Sequence, residues 1–186
     1  EVLALLARYD VLVVGPGLEP ARAQFVERLL EGFDGPMVVD AGAIGAITRL
    51  DTLLEREAPT VLTPHAGEFR RLTGVEASHE EAMRLADVTG AIVLLKGNPT
   101  FVAGRELVVV DAGGPELASI GTGDVLAGVI AALLAGGVEP GLAAAMGAHI
   151  HARAAAGLAD STVVTASDLV DAVGAIVARG IGKPVR

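Results

Sequence analysis

The chain has 186 residues, of which 52% are hydrophobic, 3% aromatic and 20% charged, and its formal net charge is -9. This length fits one domain with a sizeable core, and the acidic balance argues against binding to nucleic acid or to an anionic membrane, because both need a basic face. Cysteine is absent, which excludes disulfides and thiolate metal sites. The longest apolar run, Val125 to Val138, is too short and too rich in glycine to span a bilayer.

The first part of the chain predicts four buried strands that alternate with helices. Runs of β-branched and aliphatic residues bounded by turns favour strands covered on both faces, and amphipathic spacing favours helices between them. The predicted strands cover residues 11–14, 37–40, 60–63 and 91–95, and the predicted helices cover residues 1–8, 20–32, 50–57 and 78–88.

Two of these helices carry more specific expectations. In the helix of residues 20–32, we expect Phe25, Leu29 and Leu30 to face inward. Ser78, with Glu81 three residues later, predicts a capping box at the start of the helix of residues 78–88.

The second part of the chain predicts a hairpin followed by helices. Residues 101–103 and 107–110 flank a turn that contains Gly104, which is typical of a hairpin. An apolar helix is expected from Val125 onward, and alanine-rich helices are expected at 140–158 and 167–179. With neither a repeat nor a linker in view, residues 1–186 predict one three-layer αβα domain with a mostly parallel central sheet.

Polar groups follow the predicted strands at their carboxyl ends, which is the edge where open parallel sheets bind ligands. A Gly-Pro-Gly turn at residues 15–17 follows the first strand, and Asp40, His65 and Lys96 follow the next three. Lys96 is one of only two lysines in a chain with twelve arginines, which favours a compact cation aimed at phosphate over a lysine that merely reaches water.

Other polar residues have competing structural interpretations. His65 could contact a polar substrate or cap the helix that starts near Ala66, and Glu68 favours a helix first-turn carboxylate over a catalytic one. Asp40 could bind a metal through water or cap the following turn. His149 and His151 lie two apart on a helix, on different faces, and are a poor metal pair.

The segment Gly121-Thr122-Gly123-Asp124 is the strongest single motif. Two glycines allow a sharp turn before the apolar helix, whose unpaired N-terminal amides attract phosphate. Asp124 then lies near a bound anion without being a phosphate ligand, which indicates an acid/base role; the alternative is an ordinary N-cap. The Rossmann fingerprint and the Walker P-loop are both absent.

Four segments together resemble the ADP/ATP-dependent NAD(P)H-hydrate dehydratases, a branch of the ribokinase-like fold. In the family's order, they are VVGPGL at 13–18, LTPHAGEFRRLTG at 62–74, LLKGNPTFVA at 94–103 and GTGDVLAGVIAALLA at 121–135. Other ribokinase-like kinases share the GTGD loop but lack the TPHAGE and KGNPT pair.

The resemblance implies repair of nicotinamide cofactors, in which the 6S hydrate of NADH or NADPH loses water at the expense of ADP or ATP with Mg²⁺. It implies that Asp124 is the catalytic base and that Gly17, His65 and Asp124 contact the hydrate. The residues that it implies for the adenine nucleotide are Lys96, Gly97, Asn98, Pro99, Thr100, Gly121, Thr122 and Gly123. It also implies a cytoplasmic homotetramer that works with a fused or partner epimerase and has no dedicated protein metal site.

The sequence departs from the family at three places. The segment before the Gly-Pro-Gly strand is short, so we expect early strands of the domain, with an alanine contact to the hydrate, to be missing. Asp40-Ala41-Gly42 lacks the second aspartate usual after this strand, and Glu116 stands where the family often has glycine.

Two alternatives remain open at the level of sequence. The first is a ribokinase-like kinase of a small alcohol, such as a vitamin precursor, which would leave a stable phosphorylated product. The second is a non-catalytic module for adenine-nucleotide binding or oligomerisation, which would bind nucleotide without turnover.

Overall fold

One six-stranded sheet organises the computed structural model, which describes residues 2–114, 117, 119–158 and 164–181. Its strands lie side by side in chain order; the first four are parallel and the last two form an antiparallel hairpin. They are β1 (Leu12–Val14), β2 (Met37–Val39), β3 (Thr60–Leu62), β4 (Ile92–Leu95), β5 (Thr100–Ala103) and β6 (Leu107–Val110). Each predicted strand is confirmed to within one residue at either end.

The helices connect the parallel strands and close the chain. They are α1 (Val2–Leu6), α2 (Ala23–Gly32, after a 3-10 turn at Pro20–Arg22), α3 (Ala41–Ile44), α4 (Asp51–Leu54), α5 (Ala66–Thr73), α6 (His79–Thr89), α7 (Thr122–Ala135), α8 (Pro140–Ala156) and α9 (Ala166–Ile181). The helix predicted over 50–57 is wrong in length, because only α4 forms there. Among the described helices, none has both the length and the apolar character needed to cross a bilayer.

Alternating strand residues build a core on each face of the sheet. Val39 and Leu62 pack on one face with the apolar residues of α2 and α6. Val38 and Val61 point the other way and pack against α7 and α8. Because period-two alternation sends neighbouring side chains to opposite faces, these strands are buried on both sides, and the predicted three-layer αβα architecture is confirmed.

Two local expectations need correction. Phe25 is 39% exposed, whereas Val26 is fully buried together with Leu29 and Leu30, so the inward stripe of α2 begins one residue later than predicted. At α6 the Ser78 side chain accepts a hydrogen bond from the Glu81 amide (3.2 Å), as expected of an N-cap. The Glu81 carboxylate pairs with Arg84 and does not accept from the Ser78 amide, so only the serine half of the predicted capping box forms.

The topology gathers the strand ends at one edge. Because β1 to β4 are parallel and adjacent, the residues that follow them emerge side by side. A further parallel bridge between His65 and Lys96 extends the pairing of β3 and β4 beyond the strands themselves, and the Lys96 amide donates to the Pro64 carbonyl at 2.8 Å. The polar groups predicted at the carboxyl edge therefore belong to one surface.

Candidate active site at the carboxyl edge of the sheet

Asp40 and Lys96 form an ion pair where β2 and β4 end. Asp40 Oδ1 accepts from Lys96 Nζ and from the Thr63 hydroxyl, both at 2.8 Å. Asp40 is 1% exposed and the Lys96 side chain 22%, so the carboxylate is buried while the ammonium keeps some access to water. Asp40 occupies the N-cap position of α3, but its side chain makes no capping hydrogen bond, so the alternative that its carboxylate caps the following turn is wrong.

The Lys96 ammonium lies against the first turn of α7. A Cβ built on Gly123 would lie 3.6 Å from Lys96 Nζ and 3.7 Å from Asp40 Oδ2. Glu68 Oε2 is a second carboxylate oxygen near this ammonium, at 3.8 Å. A cation therefore stands beside a helix N-terminus, and both attract anions such as phosphate.

His65 caps α5 and still leaves its ring accessible. Its Nδ1 accepts from the amides of Gly67 (2.9 Å) and Glu68 (3.3 Å), while Glu68 Oε2 accepts from the His65 amide (2.9 Å). This reciprocal arrangement is a capping box with histidine in the place usually taken by serine or threonine. The His65 side chain is more than half exposed, and its Nε2 lies 3.4 Å from Glu68 Oε1. Part of the ring is therefore accessible although Glu68 contacts both of its nitrogens' sides, and the first-turn role predicted for Glu68 is confirmed.

The Gly-Pro-Gly turn packs against the backbone that follows β2. Gly15 has φ +127°, and a Cβ there would lie 1.7 Å from the Asp40 carbonyl oxygen, so only glycine fits. Gly17 also has a positive φ, of +68°, but a Cβ there would meet nothing within 4 Å. Gly17 therefore borders open space beside the turn at Asp40. This position would allow its backbone to contact a ligand.

The GTGD segment forms the start of α7 itself. Gly121, in the left-handed region with φ +86°, is the N-cap, and the helix begins at Thr122. The predicted start at Val125 is therefore three residues late, and the N-cap alternative for Asp124 is wrong because Asp124 lies inside the first turn. The buried Thr122 hydroxyl donates to the carbonyls of Leu117 (2.7 Å) and Ser119 (2.8 Å), so its side chain holds the preceding loop.

Asp124 is exposed and lines a groove between α7 and α9. The groove has a volume of about 570 Å³, and its walls are largely apolar, with Val125, Val129, Val170 and Val173 among the lining residues. A carboxylate that lines an apolar groove, next to a phosphate-attracting helix end, is suited to accept a proton from a bound alcohol.

The segment after β4, residues 97–100, forms a tight turn. The Thr100 hydroxyl donates to the Gly97 carbonyl at 2.9 Å, the Asn98-Pro99 peptide is cis, and Gly97 and Asn98 are exposed. This turn lies beside Lys96 at the same edge of the sheet.

The structure brings together some of the predicted site residues and leaves others separate. Lys96, Gly123 and the previously ambiguous Asp40 meet directly, and His65 is the strand-bridge neighbour of Lys96. Within the described part of the chain, no hydrogen bond or ion pair joins Asp124 to Lys96 or His65. Glu116, where the sequence departs from the family, lies outside the described residues.

One residue that sequence reasoning missed lies behind this site. His151 of α8 is 5% exposed, and its Nε2 lies 2.8 Å from the Thr122 carbonyl oxygen. Burial lowers the pKa of His151 below its usual 6.5, with a smaller contribution from the Lys96 charge, against the opposing hydrogen bond to Thr122. The one feature of the sequence that could have indicated this role is a histidine among alanines on its face of the helix.

The donor groups at the edge fit a magnesium ion that arrives with a nucleotide. Within the described ranges, no three His, Asp or Glu side chains gather into a metal-binding cluster. Mg²⁺ usually binds one or two carboxylates together with substrate phosphates and water. Asp40 is the carboxylate that would hold it, because Oδ2 faces the first turn of α7 while Oδ1 holds Lys96.

Comparison with known proteins gives a consistent picture. The chain is 42% identical to the bifunctional NAD(P)H-hydrate repair enzyme Nnr of Salinibacter ruber, over 94% of this chain and 34% of that protein. The ADP/ATP-dependent NAD(P)H-hydrate dehydratase of Bacillus subtilis, co-crystallised with ATP and Mg²⁺ and soaked with CoA, superposes with a TM-score of 0.82 at 32% identity, over 92% of this chain and 66% of that one. A ribokinase-like superfamily protein of Enterococcus faecalis superposes with a TM-score of 0.80 at 25% identity, over 96% and 66% of the two chains.

These matches identify the fold as ribokinase-like, as the sequence predicted. The chain spans about a third of the length of the Salinibacter ruber relative and about two thirds of the two solved structures. The sequence profile of the NAD(P)H-hydrate dehydratases matches residues 1–176. The chain therefore belongs to the NAD(P)H-hydrate dehydratase family.

Proposed function

We propose that residues 1–186 act as one ribokinase-like domain that catalyses the ADP- or ATP-dependent dehydration of the 6S hydrate of NADH and NADPH. Family membership supports the reaction, and the ATP and Mg²⁺ of the Bacillus subtilis structure support an adenine nucleotide as co-substrate. The observation on this chain that carries the proposal is the position of Lys96 Nζ, 3.6 Å from a Cβ built on Gly123 in the first turn of α7.

The nucleotide would place its terminal phosphate at the amino end of α7. There the helix-end amides and the Lys96 ammonium stabilise the negative charge on the transferred phosphoryl group. We assign the turn that runs from Gly97 to Thr100 to the rest of the nucleotide, since it follows Lys96 at the same edge. Mg²⁺, held in part by Asp40, would neutralise charge on the phosphate oxygens.

The hydrate would present its hydroxyl to Asp124, with the Gly17 backbone and the His65 ring as further contacts. Asp124 accepts the hydroxyl proton as the oxygen attacks the terminal phosphorus, and the bond from that phosphorus to the departing nucleotide oxygen breaks. The carbon–oxygen bond of the phosphorylated hydrate then breaks, phosphate leaves with the electron pair, and loss of a ring proton restores the double bond. The products are NADH or NADPH, inorganic phosphate, and AMP from ADP or ADP from ATP.

The direct test supplies the purified chain with chemically hydrated NADH, Mg²⁺, and ADP or ATP. We expect recovery of the near-ultraviolet absorbance of NADH with one phosphate released per NADH formed, and no recovery when nucleotide is omitted. A stable phosphorylated product without phosphate release would instead identify a small-alcohol kinase. Calorimetric binding of nucleotide with no turnover would identify a non-catalytic module, and either result would overturn the proposal.

The assembly that goes with this activity is part of the same proposal. We infer a cytoplasmic homotetramer that works with a fused or partner epimerase. The Salinibacter ruber relative is named as bifunctional, which supports a second activity beside the dehydratase. Light scattering coupled to size-exclusion chromatography tests the tetramer, and a mass equal to one chain would contradict it.

A further inference from the structure

His151 is a buried polar residue on a helix face that is otherwise built of small apolar residues. It is 5% exposed, and the proposed reaction does not use it. The other buried residues of α8 are alanines and one glycine: Ala143, Ala144, Gly147, Ala148, Ala152, Ala154 and Ala155. Burying an imidazole among methyl groups is unfavourable unless its polar atoms find partners, so the hydrogen bond that His151 makes within the described residues indicates what it does.

That hydrogen bond goes to the first residue of α7. His151 Nε2 lies 2.8 Å from the Thr122 carbonyl oxygen, and because a carbonyl only accepts, Nε2 must carry the proton. Burial lowers the pKa of His151, which favours the neutral ring with this tautomer. The contact spans 29 residues of sequence and is itself buried.

The surrounding packing makes this contact a rigid one. Gly147, one turn before His151, lies so close to α7 that a Cβ there would be 2.6 Å from Ile130 Cγ1. On the other side of Thr122, its hydroxyl donates to the carbonyls of Leu117 and Ser119. The first turn of α7 is thus held by α8 through the Thr122 carbonyl and by the preceding loop through the Thr122 hydroxyl.

We propose that His151 is a positioning residue for the phosphoryl-transfer site. By donating to the Thr122 carbonyl, it fixes the rotation and tilt of the first turn of α7, and with it the Gly123 amide and the Asp124 carboxylate. This inference rests on the proposed function and adds to it a residue that touches neither substrate nor nucleotide. Small displacements of reacting groups cost large factors in rate, which gives the hydrogen bond its catalytic consequence.

The test compares His151→Leu, which removes the donor, with His151→Gln, whose amide nitrogen can reach the position of Nε2. We expect kcat to fall about 10- to 100-fold in the leucine variant, with the KM for the hydrate changed less than about threefold. The glutamine variant should recover most of the wild-type kcat. His149→Leu is the matched control, because His149 is exposed on the same helix two residues away, and its kcat should match the wild type.

Hydrogen exchange supplies a readout that needs no turnover. The hydrogen-bonded amides of the first turn of α7, those of Thr122 and Val125, should exchange about fivefold faster or more in His151→Leu, but not in His151→Gln or His149→Leu. A wild type without dehydratase activity would refute the proposed function, while this exchange pattern would still support positioning. A leucine variant with wild-type kcat and exchange, even if less stable, would overturn the inference, as would a glutamine variant as impaired as the leucine one.

Discussion

Lys96 is expected to act in both folding and nucleotide binding, and variants can separate the two roles. Its ammonium compensates the buried Asp40 carboxylate at 2.8 Å and also faces the amino end of α7. Removing one partner of a buried ion pair leaves the other charge uncompensated. Loss of Lys96 should therefore affect both folding and nucleotide binding.

Lys96→Met should lower the free energy of unfolding by about 3 kcal/mol, at the low end for a broken buried ion pair because Nζ keeps some water access. It should also raise the KM for ADP or ATP about tenfold or more, since a charged hydrogen bond to phosphate is worth about 1.5 kcal/mol or above. Adding Asp40→Asn removes the stranded charge, so the double variant should regain stability in a urea titration but not nucleotide affinity. Recovery of both would show that Lys96 serves folding alone and that Asp40 does not hold the nucleotide's Mg²⁺.

The Asp40–Lys96 ion pair shows which properties of single residues can be predicted from the sequence. Lys96, His65 and Asp40 could be predicted as strand-end residues, because apolar runs and the turns that follow them can be recognised in the amino-acid sequence. The 56-residue separation of Lys96 and Asp40 hid their pairing, which depends on β2, β3 and β4 being neighbours. His151 was missed because its partner is a backbone carbonyl, which no residue type encodes.

At the scale of elements, one arginine joins several segments behind the sheet. The half-buried Arg56 donates to the carbonyls of Leu30, Phe33 (3.0 Å) and Gly35 (2.8 Å) and to the Thr60 hydroxyl (3.0 Å). It thereby ties the end of α2 and the loop before β2 to the start of β3. The sequence pattern did not predict these hydrogen bonds of Arg56, because it placed Arg56 within a helix.

Arg56→Met should lower the free energy of unfolding by about 2 to 4 kcal/mol, because several partly buried carbonyls lose their donor. Arg28→Met is the matched control, as Arg28 is exposed on α2, and its effect should stay within about 0.5 kcal/mol. Urea titrations of both variants measure the difference. Equal stability of the two would refute the role of Arg56 in joining these segments.

A second element-scale feature is the amino end of α9. Asp168 Oδ2 accepts from the Thr165 amide (3.1 Å) and hydroxyl (2.6 Å), and the Thr165 hydroxyl accepts from the Asp168 amide (3.2 Å). The hydrogen bonds from Thr165 lower the pKa of Asp168 below its usual 3.8. The folded state therefore favours the ionised carboxylate.

The stabilisation from Asp168 should be present in full above its unfolded pKa and be lost as the pH falls through the lower folded pKa. The difference in Tm between wild type and Asp168→Ala should thus be constant from neutral pH to about pH 4.5 and shrink below that. Asp171→Ala, at an exposed position on the same helix, controls for the loss of a carboxylate. A difference that widens as the pH falls would contradict the assignment.

At the scale of the whole molecule, the fold concentrates ligand-attracting features in a protein that otherwise repels anions. The net charge of -9 disfavours anionic ligands at long range, so the proposed nucleotide would have to be held by the local cation and helix end. The alternation of strands and helices let the sequence predict this layered fold, including the hairpin that closes the sheet. The start of α7 escaped prediction, because its position at Thr122 depends on tertiary contacts to Leu117, Ser119 and His151.

In the proposed reaction, Asp124 takes the hydroxyl proton of the hydrate at the amino end of α7. The most direct measurement is the rate of NADH recovery from its hydrate with ADP and Mg²⁺ in Asp124→Ala, beside Asp87→Ala as an exposed helical control. We predict a fall of about 100- to 10,000-fold for Asp124→Ala and a wild-type rate for Asp87→Ala. A fully active Asp124→Ala protein would contradict it.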